Sequence, residues 1–144
     1  MIKVRNIMTK NVITIAPSAS LKEAANLMAS KSVSSLVVVE KNKPIAVISE
    51  TDVIKGVLSK KTKARDAMSK QFVAINSLTK FSEIAKYIKD HKIKRFPVVE
   101  NGELIGLVTE TDVIEATRDF TRMNQIIQEA ILGIFGLATA FFLF

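Results

Sequence analysis

Residues 107–114, LVTETDVI, repeat the pattern of residues 47–54, VISETDVI, and the two stretches share the pentapeptide ETDVI. Sliding the sequence by the same 60 positions aligns much more of the chain without a gap, including VVE at 38–40 with VVE at 98–100. A fixed internal period of this kind indicates two copies of one structural unit. Because each copy is too short to bury a large core alone, the two are expected to pack together.

The first half of each copy has the pattern of a short strand followed by a helix. Residues 12–15, VITI, are rich in β-branched side chains, and Pro17 closely follows them as a strand terminator. Ser20 and Glu23 then form an S-x-x-E capping box, the signature of a helix start. Apolar residues recur at helical spacing after it, so the pattern predicts a helix that runs to about Lys31.

The second half of each copy predicts a hairpin and a further helix. Residues 36–39, LVVV, are typical of a buried strand, and residues 45–48, IAVI, form a second strand after a turn. In copy two the turn is Asn101-Gly102, a pair that suits the positive φ values of a tight hairpin. The predicted order per copy is strand, helix, strand, strand, helix, which places the fold in the α/β class, of the α+β type.

The composition is that of a globular protein and excludes several kinds of site. The 144 residues are 48% hydrophobic and 24% charged, with no cysteine and with His91 as the single histidine. Disulfides, thiolate or His-rich metal sites and cysteine catalysis are therefore excluded, so we expect no metal, no cofactor and no catalytic residues in the chain. The N-terminal stretch MIKVRNIMTK lacks the apolar core of a signal peptide, so a cytoplasmic location is expected.

The net charge of +7 has two interpretations. It favours anionic partners, such as nucleotides, nucleic acid or an anionic membrane face. A lysine-rich solubilising surface accounts for it equally well. Nucleic-acid binding through the basic surface is the alternative function, but the absence of Trp, the single tyrosine at Tyr87 and the lack of a nucleic-acid motif argue against it.

The repeated hydroxyl-Glu-Thr-Asp motif also has two interpretations, and both place it at a helix N-terminus. In the first, Ser49 with Asp52 and Thr109 with Asp112 only cap helices, because the hydroxyl accepts from a free N–H and the acid complements the helix dipole. In the second, the same junction binds a phosphate while the aspartate accepts from ribose hydroxyls. The two roles are compatible. Retention of all of ETDVI favours the second, because capping alone tolerates several residue types.

The chain resembles a tandem pair of cystathionine-β-synthase-type (CBS) domains, also called a Bateman module. The resemblance rests on IMTKNVITIAPSASLKEAANLM, SVSSLVVVEKNKPIAVISETDVI, AMSKQFVAINSLTKFSEIAKYI and KIKRFPVVENGELIGLVTETDVI, and it covers about residues 4–57 and 64–118. It implies two β-α-β-β-α repeats packed about a pseudo-twofold axis, with two clefts that bind adenosine-containing ligands such as AMP, ADP, ATP or S-adenosylmethionine. It also implies a regulatory, non-catalytic module that forms a homodimer and signals to an unknown protein partner.

Under this resemblance, three parts of each repeat line the clefts. Ser49 and Thr109 would contact phosphate, and Asp52 and Asp112 would hold ribose hydroxyls. The first strand would frame the adenine, and the segment before the second strand would form the opposite wall. The residues so assigned are Thr14, Ile15, Ala74 and Ile75 on the first strands and Val33, Ser34, Ser35, Ile93, Lys94 and Arg95 on the opposite walls.

The two copies differ on that wall. The basic pair 94–95 can neutralise phosphate oxygens, whereas the serine pair 34–35 offers only neutral donors. The second-copy cleft is therefore expected to prefer a charged nucleotide, and the first to bind weakly, take a less charged adenosyl ligand or stay empty. An ordinary solvated basic turn remains the alternative for 94–95. Copy one also departs from the family pattern, because it has Val37 and Ala46 where copy two has the usual proline and glycine, Pro97 and Gly106.

The repeats, 1–60 and 61–120, leave a C-terminal segment of different character, 121–144. Residues 130–144 carry no charge, and the segment is predicted to be an apolar helix. As a helix those residues would span roughly 22 Å, short of the roughly 30 Å of a bilayer core. Two interpretations stay open: a helix buried between the subunits of an oligomer, and a membrane anchor through 126–144 that would associate the protein with a membrane.

Overall fold

The computed structural model describes the backbone of residues 2–143 and the side chains of residues 2–134. Repeat one contains a three-stranded sheet in the order β1-β2-β3, in which β1 is parallel and β3 antiparallel to β2. The elements of this repeat are β1 (Thr14–Ile15), α1 (Leu21–Lys31), β2 (Ser35–Glu40), β3 (Lys43–Ser49) and α2 (Glu50–Leu58).

Repeat two has the same arrangement, except that its first strand is reduced to a single parallel bridge between Ile75 and Val98 and that it begins with a short α-helix where repeat one has a 3-10 turn, Val4–Asn6. Its elements are α3 (Ala64–Ala67), α4 (Phe81–His91), β4 (Arg95–Glu100), β5 (Glu103–Thr109) and α5 (Glu110–Leu143). The predicted α/β class and element order are confirmed. The predicted first strand over 12–15 is too long, because only Thr14 and Ile15 pair with β2.

Both hairpins turn through residues with positive φ, which suits the right-handed twist of paired strands. The predicted Asn101-Gly102 turn is confirmed, with φ of 51° and 79°. Lys41 and Asn42 adopt the same backbone conformation, with φ of 49° and 62°, although neither is a glycine. Both hairpins also carry a bulge at the equivalent place, after Val38 in one and after Val98 in the other. The duplication therefore extends to the irregular features of the backbone.

The predicted capping box at the start of α1 is only half formed. The Ser20 hydroxyl accepts from the Glu23 N–H at 3.0 Å, as the motif requires. Among the described residues no hydrogen bond runs back from the Ser20 N–H to the Glu23 side chain, so that half of the prediction is wrong. The helix begins where the pattern places it because the hydroxyl alone satisfies one free N–H of the first turn.

The two repeats exchange their leading segments. Val4 is fully buried in the core of repeat two, with Ile7 and Met8 packed beside it. Ala64, the counterpart of Val4, is fully buried in the core of repeat one, and Met68 packs beside it. Backbone hydrogen bonds hold both exchanges, including Val4 N to Thr79 O at 2.9 Å and Ala64 N to Ala19 O at 2.8 Å. Each repeat therefore completes the other's core, as the shortness of a single copy suggests.

The last helix of repeat two and the C-terminal segment are one element, because α5 runs without a break from Glu110 to Leu143. At 1.5 Å per residue its 34 residues extend roughly 51 Å. Its large apolar side chains between Met123 and Ile134 are exposed. Within the described residues no helix is both long and apolar enough to cross a bilayer. The predicted membrane contact through 126–144 lies partly outside the described side chains.

Candidate functional site

Each repeated motif forms a complete capping box at the start of a helix. The Asp52 carboxylate accepts from the Ser49 N–H at 2.9 Å, and the Ser49 hydroxyl accepts from the Asp52 N–H at 3.2 Å. Thr109 and Asp112 form the same pair, at 2.8 Å and 3.3 Å. The capping interpretation is therefore confirmed for both motifs.

Capping leaves part of each carboxylate for another partner. Both aspartates use Oδ2 for the cap. Within the described residues Oδ1 of Asp52 and of Asp112 has no hydrogen-bond partner, and both side chains are half-buried at the edge of a cleft. A carboxylate held in this way can accept from ligand hydroxyls through Oδ1 without losing its helix cap.

The larger of the two clefts, which we call the Asp112 cleft, has a volume of about 390 Å³. Its walls come from both repeats. The cap of α5 forms one side, and the segments just before β1 and before β2 form the other. The lining residues are Thr9, Asn11, Val12, Ile13, Ser32, Val33, Ser34, Ser35, Lys94, Arg95, Leu107, Thr109, Glu110, Thr111, Asp112 and Glu115.

The second cleft, which we call the Asp52 cleft, has a volume of about 240 Å³. It combines the cap of α2 from repeat one with segments of repeat two that correspond, 60 positions on, to the opposite wall of the Asp112 cleft. Its lining residues are Val47, Ser49, Asp52, Ser69, Gln71, Lys92, Lys94 and Arg95. Each of these has its counterpart in the lining of the Asp112 cleft, so the two clefts are related by the pseudo-twofold axis of the pair.

Two short backbone pairings between the repeats hold the clefts in shape. Thr9 pairs with Leu107 at 2.9 and 3.0 Å, and Ser69 pairs with Val47 at 2.9 and 2.8 Å. All four residues line a cleft. Each site is thus built at the junction of the repeats and depends on their relative position.

The structure brings most of the predicted site residues to the clefts. Val33, Ser34 and Ser35 line the Asp112 cleft together with Thr109 and Asp112. The residues found in the Asp52 cleft are Ser49, Asp52, Lys94 and Arg95. Whether these residues bind a ligand stays a prediction.

Residues of the first strands are placed differently from the expectation. Ile15 and Ile75 are buried in the two hydrophobic cores, because they point away from the clefts into the repeats. Thr14 and Ala74 are exposed and line neither cleft. Val12 and Ile13 belong to the predicted strand 12–15 but precede the observed β1. They line the Asp112 cleft in the place that was predicted for Thr14 and Ile15.

Ile93 also lies outside both clefts, since it packs against the core of repeat two.

The sequence grouped the site residues by repeat, whereas the clefts group them across repeats. The serine pair 34–35 of repeat one faces the cap of repeat two, and the basic pair 94–95 faces the cap of repeat one. The basic pair also reaches the Asp112 cleft. The expected cleft, in which the basic pair serves the second copy alone, is therefore not observed. Instead, both clefts are lined by residues of both repeats, and both contain the basic pair.

Charge distinguishes the two clefts. The Asp112 cleft contains three carboxylates, from Glu110, Asp112 and Glu115, in addition to the basic pair. The Asp52 cleft contains Asp52 as its only acidic lining residue and adds Lys92 to the basic pair. Sequence reasoning missed Glu115 and Lys92. Both could have been found in the sequence. Glu115 lies one helical turn after Asp112 and so on the same face of the helix, and Lys92 begins the basic segment that continues with Lys94 and Arg95.

Arg95 has an unusual environment. Its Nε is buried, and it is the only buried side-chain polar atom in the described residues without a hydrogen-bond partner. Arg95 is the first residue of β4 and lies opposite Thr109 in the register of the β4–β5 hairpin. Because a buried N–H without an acceptor is costly, an acceptor supplied by a ligand would relieve the cost.

The comparisons with known proteins agree with this architecture. A family model described as the CBS domain matches residues 4–59 and 64–119. The chain belongs to the CBS-domain family. The uncharacterized protein MK0525 of Methanopyrus kandleri is 33% identical to this CBS pair over 121 residues, which cover 79% of this chain and 62% of that protein. The chain thus spans less than two thirds of that relative's length.

Solved CBS domain pairs have the same fold. The CBS domain pair of protein MJ0100, in complex with 5′-methylthioadenosine and S-adenosyl-L-methionine, superposes with a TM-score of 0.75 at 23% identity, over 83% of this chain and 98% of that one. CBSX2 in complex with AMP superposes with a TM-score of 0.72 at 26% identity, over 84% and 99% of the two chains. The likeness to MJ0100 at this identity bears on the fold alone.

Proposed function

We propose that this CBS pair is a regulatory module that binds adenosine-containing ligands in the Asp112 and Asp52 clefts. The observation that carries the proposal is the pairing, in each cleft, of a helix N-terminus and hydroxyl with an aspartate whose Oδ1 has no partner within the described residues. The hydroxyl and helix start suit a phosphate, and the carboxylate suits ribose hydroxyls. The AMP bound by CBSX2, which is 26% identical to this chain, supports this ligand class.

We propose that the composite clefts also allow the signal to be transmitted. Because the walls of each cleft come from both repeats, a bound ligand would favour the relative position of the repeats in which both walls touch it. The helix α5 starts with Glu110 in the wall of the Asp112 cleft and continues into its exposed apolar stretch. We propose that a second copy or a protein partner contacts that stretch and responds to the change, and that the chain itself carries out no reaction.

The test combines ligand identification with thermal unfolding. Denatured protein, purified from cells without added nucleotide, would be searched by mass spectrometry for AMP, ADP, ATP and S-adenosylmethionine. Each compound would then be added to ligand-free protein, with GMP as the control that keeps the sugar and phosphate but changes the base. A ligand at 100 times its Kd is expected to stabilise the fold by about 2.7 kcal/mol.

Two results of these melting experiments would contradict the proposed function. If no adenosyl compound shifts the melting temperature, the proposal is wrong. If instead generic RNA shifts it, and added salt abolishes the shift, the basic surface binds nucleic acid, because such binding depends on counterion release.

A further inference from the structure

The basic pair Lys94 and Arg95 lines both clefts at once. Its counterparts in repeat one, Ser34 and Ser35, line the Asp112 cleft but not the Asp52 cleft. The pseudo-twofold symmetry is therefore broken here, where two short neutral side chains are replaced by two long cationic ones. Long side chains at the start of β4 can reach across the axis, whereas serines cannot.

The position of Arg95 explains how one side chain serves two sites. By symmetry with Ser35 it belongs to the wall that faces Asp52, and it lines that cleft. Across the hairpin it pairs in register with Thr109, which caps the helix of the other cleft. Its buried Nε has no acceptor within the described residues. A guanidinium can direct several N–H donors in fixed directions, so it can turn toward an anion on either side.

The two clefts depend on the shared pair to different degrees. Without the basic pair, the charged lining residues of the Asp52 cleft are Lys92 and Asp52, whose opposite charges balance each other. Without it, the Asp112 cleft contains three carboxylates and no cation among its lining residues. A phosphate in the Asp112 cleft therefore depends on Lys94 and Arg95, whereas a phosphate in the Asp52 cleft has a cation of its own.

We propose that Lys94 and Arg95 are a shared cation pair through which the clefts compete for phosphate. This inference rests on the proposed adenosyl-ligand function and adds a coupling between its two sites. A phosphate in the Asp52 cleft draws the pair toward itself and weakens the binding of a second phosphate-bearing ligand in the Asp112 cleft. By reciprocity the reverse holds with the same factor. An uncharged or cationic adenosyl ligand in the Asp112 cleft escapes this competition.

The test compares AMP with adenosine, which lacks the phosphate, by isothermal titration calorimetry on the full chain. The affinity of the Asp112 cleft for AMP would be measured in the wild-type protein, where this binding is expected to be the second and weaker event. It would be measured again after the Asp52 cleft is disabled by Asp52→Ala or, with the helix cap intact, by Gln71→Trp. Both variants are expected to raise the affinity of the Asp112 cleft for AMP by about 10-fold, within the usual range of couplings between sites. Its affinity for adenosine is expected to stay unchanged.

Two further variants separate the shared pair from an ordinary cation. Arg95→Ser installs the residue that repeat one has at the equivalent place and is expected to reduce the coupling for AMP. Lys92→Ser, the matched control, removes a cation that lines the Asp52 cleft alone. It is expected to weaken AMP in that cleft while the competition persists.

Three outcomes decide the matter. Equal affinity of the Asp112 cleft for AMP in the wild type, Asp52→Ala and Gln71→Trp would overturn the shared-pair proposal. The same competition with adenosine would overturn it too, because the coupling would not depend on charge. Absence of binding by any adenosyl compound in every protein would instead refute the proposed function on which it rests.

Discussion

The change Asp112→Ala separates the two roles that the structure gives this carboxylate. As a helix cap, Asp112 accepts from the Thr109 N–H at 2.8 Å and lies in the first turn of α5. Loss of the cap and of the favourable charge at the helix N-terminus is expected to cost about 1–2 kcal/mol of unfolding free energy. For a chain of this size that corresponds to a fall in melting temperature of roughly 2–8 °C.

As a ligand group, Asp112 is proposed to accept from ribose hydroxyls through Oδ1. A hydrogen bond to a charged group contributes about 1.5–3 kcal/mol, so its loss is expected to weaken the Asp112 cleft by about 10- to 150-fold. Adenosine is the ligand of choice for calorimetry, because it avoids the competition for phosphate. The expected titration shows one of the two binding events weakened and the event in the Asp52 cleft retained.

The control is Ser20→Ala, which removes a helix cap that lines neither cleft. It is expected to lower the stability by about 1 kcal/mol and to leave both binding events unchanged. If Asp112→Ala lowers the melting temperature as Ser20→Ala does, yet binds adenosine like the wild type, then Asp112 only caps its helix and the proposed ribose contact is refuted.

Three further predictions concern the packing of the pair. Val4→Ala is expected to cost about 2–3 kcal/mol in urea unfolding, because Val4 is fully buried in the core of the other repeat; a loss within about 0.5 kcal/mol would contradict the exchange. Gly106→Ala is expected to cost about 1–3 kcal/mol in the same assay, since the new Cβ would lie 2.6 Å from the Met8 sulfur. The double variant Gly106→Ala with Met8→Ala should recover part of the lost unfolding free energy. If it recovers none, the new Cβ does not clash with Met8. Truncation after Arg122 is expected to leave the unfolding free energy within about 0.5 kcal/mol while lowering the mass of any self-associated species in light scattering. A loss of cooperative unfolding would show instead that the apolar stretch of α5 belongs to the folding unit.

Much of the local structure could be predicted from the residues alone. The capping pairs Ser49–Asp52 and Thr109–Asp112 were visible because a cap is formed by residues three positions apart. The Asn101-Gly102 hairpin was visible because its φ values favour those two residue types. The equal turn at Lys41-Asn42 was found through the repeat rather than through its composition.

The lengths of the elements were less accessible. The first strand of each repeat is nearly absent as a paired element, although its residues have strong β propensity. Pairing depends on how the neighbouring repeat crosses that segment, which local propensity does not contain. The C-terminal segment joined α5 without a break because no residue between Arg118 and Met123 ends a helix.

Sequence alone therefore established the duplication, the order of elements and the motif at each helix start, since all three follow from short-range hydrogen bonding and from the period of the pattern. The tertiary structure decided which residues share a cleft. Val4 entered the other core, Ser34 came to face Asp112, and Arg95 reached both sites. These juxtapositions join residues far apart in the chain, and they arise from packing two incomplete cores against each other, so no local pattern within one repeat encodes them.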